Sequence, residues 1–203
     1  MSTDTSVHDV LHFWFGDLSH PTAIPDQKTS MWFANGKDYD GEIQKRFGRL
    51  HQKACQGELD HWQYESKSLL ALIIILDQFS RHIYRETAQA FEQDPKCITL
   101  VVTGIENGLD QSLYLIERKF FYMPLMHAEE LKLQDLSVNM FSQLRDLAPA
   151  ELKEFYARTL SFADSHRFVI NKFGRFPELN TILGRTTTDD EEEFLKTGKY
   201  QFL

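Results

Sequence analysis

Apolar side chains recur at helical spacing along almost the whole chain, and no stretch alternates apolar and polar residues long enough to demand a sheet. Ser6 is placed to cap a first helix in which Val7, Val10, Leu11 and Trp14 share a face, with Gly16 as its stop. Residues 17–30, with Pro21 and Pro25, read as loop. Asp40 opens a second amphipathic helix with Ile43, Phe47, Leu50 and Ala54 on one stripe, ended by Gly57. Ser66 is placed to cap a central helix continuing to about Tyr84, and its run Leu69–Leu76 is apolar on every side, the pattern of a buried helix.

The second half continues in the same way. Asp94-Pro95 signals a helix start, an N-cap side chain followed by proline, with Ile98, Val101, Val102 and Ile105 on the buried face and Gly108 at the end. A longer helix is expected from about His127 to Leu147, on Leu133, Leu136, Met140, Leu144 and Leu147. Another starts at Pro149 and carries Leu152, Tyr156, Thr159, Ala163, His166, Ile170 and Phe173 until Gly174. Pro177–Leu183 makes a short helix closed by Gly184, and Thr188 with Glu191 forms a capping box for a last one. The fold class is therefore all-α: about eight antiparallel helices in one domain spanning residues 1–203.

Composition sets the class without adding chemistry. The 203 residues are 42% hydrophobic and 26% charged, the balance of a globular protein. Thirty acidic against 22 basic residues give a formal net charge of −8, which argues against a nucleic-acid partner. The longest apolar run, eight residues, would span about 12 Å as helix against a hydrocarbon core of about 30 Å, so no membrane span is expected. The N-terminus lacks a basic region followed by an apolar stretch, and Cys55 and Cys97 sit in no paired motif; a reducing cytoplasm is the expected location.

Three segments hold polar residues against apolar stripes. In Leu76–Arg85, Asp77 falls on the buried stripe of the central helix, and a buried carboxylate needs a partner, which Arg81 at i+4 supplies. In Phe121–Glu130, His127 and Glu130 stand at i, i+3 on one helix face, a spacing at which both reach one metal or substrate. In Phe173–Arg185, Arg175 and Arg185 flank a tight turn, where they would hold a carboxylate or phosphate, cap helix carbonyls, or pair with Asp77, Glu129 or Glu130. His166 lies on an apolar stripe between Ala163 and Ile170. No nucleophile elbow, phosphate loop, dinucleotide fingerprint or zinc-spaced Cys/His set occurs, and no cofactor is implied.

Together these segments resemble the bacterial domain-of-unknown-function 924 family, over about residues 7–195. Asp77, Gln78, Arg81, Tyr84 and Arg85 match its first motif, and Tyr122, Pro124, His127 and Glu129 its second. His166, Gly174, Arg175, Pro177, Asn180, Gly184 and Arg185 match its third. The resemblance implies an all-helical, tetratricopeptide-like fold and no established activity. Ser80 replaces the pattern's proline, Ala128 its serine, and Glu178-Leu179 its usual histidine-arginine pair.

Three readings follow. In the first, Asp77, Arg81, His127, Glu129, His166, Arg175 and Arg185 line an inward cluster that binds a small anionic ligand or a peptide. In the second, Asp77, His127, Glu130 and His166 ligate a metal in a hydrolase. In the third, the cluster is a self-satisfied network that locks helix packing.

Overall fold

The structure, a computed structural model, describes residues 6–197. Among the described residues every regular element is helical, so the fold is all-α. The chain divides into two compact units, Met1–Arg85 with Gln89–Pro124 and Glu86–Ala88 with Leu125–Leu203. Each is taken by itself.

The first unit holds α1 (Val7–Phe15), α2 (Asp26–Phe33), α3 (Asp40–Cys55), α4 (Ser66–Ile74), α5 (Ser80–Ile83), α6 (Asp94–Glu106) and most of α7 (Leu115–Met126). Ser6 and Asp9 form the capping box that starts α1, and Gly16 ends it with a positive φ of 69°. The expected loop over 17–30 is shorter than its prolines suggested: Pro25 precedes α2 instead of excluding it. No helix was expected over 115–126 either, yet α7 forms there, with Pro124 in its last turn. Asp40 and Asp94 are the first residues of α3 and α6, and neither caps its helix through its side chain.

Aromatic rings fill this core. Trp14 packs edge-on against Phe79, His82 and Phe120, and Phe13 and Phe79 pack against Phe47. The expected central helix is continuous from Ser66 to Ile83 but carries a π-helical turn at Ile75–Phe79 between α4 and α5. Such a turn inserts one residue and shifts the helical register. Asp77, Phe79, Ser80 and His82 are all buried, although they do not share one α-helical face. Ser80 Oγ donates to the Leu76 carbonyl at 2.6 Å, and His51 Nε2 on α3 lies 2.7 Å from the same hydroxyl.

The second unit is built on α8 (Leu131–Leu147) and α9 (Lys153–Phe173), followed by α10 (Asp189–Lys196). Arg167 pairs with Asp135 at 2.5 Å and the Lys153 ammonium reaches the Asp146 carbonyl at 3.4 Å, so α8 and α9 run antiparallel. Tyr156, Thr159, Ala163, His166 and Ile170 are buried, as their spacing predicted. The helix expected from His127 begins only at Leu131, because residues 127–130 form the turn after α7. Gln134 fastens that turn by donating to the carbonyls of Met126 (2.7 Å) and Ala128 (2.8 Å).

Candidate functional site

The seven singled-out residues are placed by the two units. In the first unit Asp77 is buried and Arg81 Nη1 sits 2.9 Å from its Oδ1, the expected i, i+4 pair. A second carboxylate joins them: Asp94, at the start of α6, takes Arg81 Nη1 at 2.9 Å and Nη2 at 3.0 Å. Burial works against the guanidinium charge, but Asp77 and Asp94 outweigh it and hold Arg81 protonated. Gln78 donates to the Asp77 carboxylate and lies 3.4 Å from Met123 Sδ.

In the second unit each arginine also faces a carboxylate. Arg185 grips Glu129 through Nη1 (2.7 Å) and Nη2 (3.0 Å), and Glu129 Oε1 also accepts the Phe176 amide at 2.7 Å. Arg175 holds Glu191 through Nε (2.6 Å) and Nη2 (2.8 Å). That guanidinium, with the Thr188 cap, keeps the Glu191 carboxyl down at about 2. Glu191 is thus a capping-box residue and an arginine partner at once.

His166 Nδ1 donates to the Phe162 carbonyl at 2.7 Å, and its ring stands edge-on to Phe176. Burial drives its pKa down to about 4, and the charge of nearby His127 adds to that shift. Glu130 is exposed in the turn, so His127 and Glu130 do not share a helix face as their spacing suggested. Among the described residues no three His, Cys, Asp or Glu side chains gather as a metal centre of that size requires.

Other buried polar groups were not anticipated. His51 stands one turn before Cys55 on α3, its Nδ1 3.5 Å from the thiol. The Ser80 hydroxyl donates to Leu76, so His51 donates from Nε2 and offers Nδ1 to the Cys55 S–H. Burial raises the thiol and lowers the imidazole, which keeps both neutral and the cysteine weakly nucleophilic. Tyr122 donates to Asp110 and accepts from Arg118 Nε at 3.0 Å, and burial pushes the phenol well up. Burial also pushes Lys119 on α7 down to about 7.

A pocket of about 560 Å³ opens in the first unit between α1 and the starts of α4 and α7. Val7, Leu11, Phe15 and Leu18 give it an apolar wall, and His8, His12, Asp17, Lys67, Tyr114 and Glu117 bring polar groups. Glu117 is buried in the first turn of α7: Oε2 accepts the Tyr114 amide at 2.8 Å, and Oε1 accepts the Lys67 ammonium at 2.5 Å. The Lys67 side chain is 48% exposed and lies over the Tyr114 ring, 4.8 Å from its centre. The meeting of Lys67 with Glu117, fifty residues apart, leaves no local signal in the sequence. The placing of His8 and His12 one turn apart on α1 was legible there and was missed.

Residues 10–199 match the family described as a bacterial protein of unknown function, DUF924. The chain belongs to this family. The DUF924 chain is also similar to a solved structure, that of the protein of unknown function ATU0120 from Agrobacterium tumefaciens. The two are 31% identical over 95% of this chain and 97% of that chain, with a TM-score of 0.79. No curated protein matches. Among the described residues of this DUF924 member, no helix is long and apolar enough to cross a membrane.

Proposed function

We propose that this DUF924 protein binds a small organic anion with an apolar body, and that it does so in the α1 pocket and not among the arginines. Lys67 carries this reading. Its ammonium has three donors, the pairing with Glu117 uses one, and half of the side chain faces solvent beside an apolar wall. The pocket volume lies within the roughly 300–1,000 Å³ usual for small-molecule sites, which combine apolar walls with a few polar groups. The arginines first suited to an anion each face a carboxylate already: Arg81 with Asp94, Arg175 with Glu191, Arg185 with Glu129. In this reading Asp77, Arg81, Glu129, Arg175 and Arg185 fix how helices and turns meet within their own units, and His166 packs on Phe176.

Calorimetric titration with hexanoate and with phenyl phosphate tests the reading. Binding weakens at least about tenfold in Lys67→Met, the loss of one charge-assisted hydrogen bond, and also in Leu11→Trp, which fills the pocket and leaves Glu117 paired. It is unchanged in Arg175→Gln. Binding that survives both pocket substitutions, or that Arg175→Gln abolishes, overturns the reading.

A further inference from the structure

His8 and His12 lie four residues apart on α1, and both line the pocket. On an α-helix that spacing sets two side chains one above the other on a single face, with Cβ atoms about 5–6 Å apart. Their rings are parallel within 12°, with centroids 5.6 Å apart. His12 Nδ1 lies 3.1 Å from Asp17 Oδ1, beyond the glycine that ends α1. A carboxylate there accepts a hydrogen bond from Nδ1–H and so leaves the Nε2 lone pair available, the tautomer a metal ligand needs.

We propose that His8 and His12 form a two-nitrogen site for a borderline divalent transition-metal ion such as Zn²⁺, Cu²⁺ or Ni²⁺, with Asp17 as the outer carboxylate that orients His12. Imidazole nitrogens favour these ions over Mg²⁺ or Ca²⁺, which take oxygen ligands. Bonds of about 2.1 Å to both Nε2 atoms require those atoms to stand roughly 3–4 Å apart. The rings must therefore tilt toward each other from their stacked arrangement. His8 is exposed and the His12 side chain is half-exposed, so rotation about their Cα–Cβ bonds meets no packed core. Water fills the remaining coordination positions, on the side that faces the pocket. The site does not depend on an organic ligand, and an ion bound there adds positive charge to a pocket in which Lys67 is balanced by Glu117.

The test is a calorimetric titration of the untagged full chain with Zn²⁺ alone, beside nitrogen-detected spectra of the imidazole rings. One equivalent binds, and the His8 and His12 ring signals move together. His8→Gln and His12→Gln each weaken binding at least about tenfold, and Asp17→Asn weakens it about tenfold, the size of an outer-carboxylate effect. His20→Gln, whose ring contacts Thr22, leaves it unchanged. Circular dichroism checks that these surface variants fold. Absence of saturable binding, or binding that both histidine substitutions leave intact, overturns the site. Because no organic ligand is present, that result leaves the anion titrations to be judged separately.

Discussion

Arg81 on α5 forms a bidentate pair with Asp94 on α6, Nη1 at 2.9 Å and Nη2 at 3.0 Å, while Nη1 also holds the buried Asp77. Two carboxylates therefore share one guanidinium. Arg81→Met takes the guanidinium away from both and destabilises the protein by about 3 kcal/mol or more, the usual result of removing one partner from a buried pair. Adding Asp77→Asn to that variant recovers part of the loss. Denaturant midpoints of the single and double variants measure both effects, and additive losses would contradict the shared-pair arrangement.

His166 predicts an acid-sensitive stability. Its folded pKa, about 4, lies below the ordinary histidine value near 6.5, so the folded state favours the neutral ring. The resulting stabilisation is fully present above pH 6.5 and is lost as pH falls toward 4, by up to about 3 kcal/mol. Unfolding midpoints measured between pH 7 and pH 4 fall more steeply for the wild type than for His166→Leu. Parallel curves would show that His166 takes no part.

The Ser80 hydroxyl accepts from His51 and donates to the Leu76 carbonyl at the π-helical turn. Ser80→Ala strands a buried N–H on His51 and costs about 1–3 kcal/mol. Ser80→Thr keeps the hydroxyl and loses less. Thermal unfolding of the two variants orders them in that sequence if the hydroxyl is what matters.

Gly104 on α6 lies against α4 and α7. A Cβ there would stand 2.6 Å from Phe121 Cζ and 2.7 Å from Leu69 Cδ2, both in fully buried side chains. Gly104→Ala overpacks the core by about 1–3 kcal/mol, despite alanine's better helix propensity. A melting temperature at or above that of the wild type would show that the helices can separate without loss.

Local signals in the sequence carried much of the fold. The Ser6 cap, the Thr188 capping box, the α3 stripe from Ile43 to Ala54 and the buried face of α9 were all legible because each depends on residues within a turn or two. α2 escaped notice because Pro25 stands immediately before it and its pattern is weakly amphipathic. α7 is masked by Pro124, which stands inside it and locally signals a helix end. Asp77 with Arg81 was legible as an i, i+4 pair. Asp94 carries the local signature of a cap, whereas its link to Arg81 depends on how separate helices pack. Distance in sequence likewise hid the Glu191 partner of Arg175, and left Glu129 one of several candidates for Arg185. The pocket cannot be read from spacing, because Lys67 and Glu117 meet only in three dimensions.

We assign ligand binding to the α1 pocket and the arginine–carboxylate pairs to the architecture. The most direct measurement is an amide and side-chain chemical-shift map of isotope-labelled protein titrated with hexanoate. Saturable shifts are expected on Leu11, His12, Phe15, Lys67 and Tyr114, with the Arg81, Arg175 and Arg185 side-chain signals unmoved. Shifts centred on those arginines, or no saturable shift anywhere, would contradict the assignment.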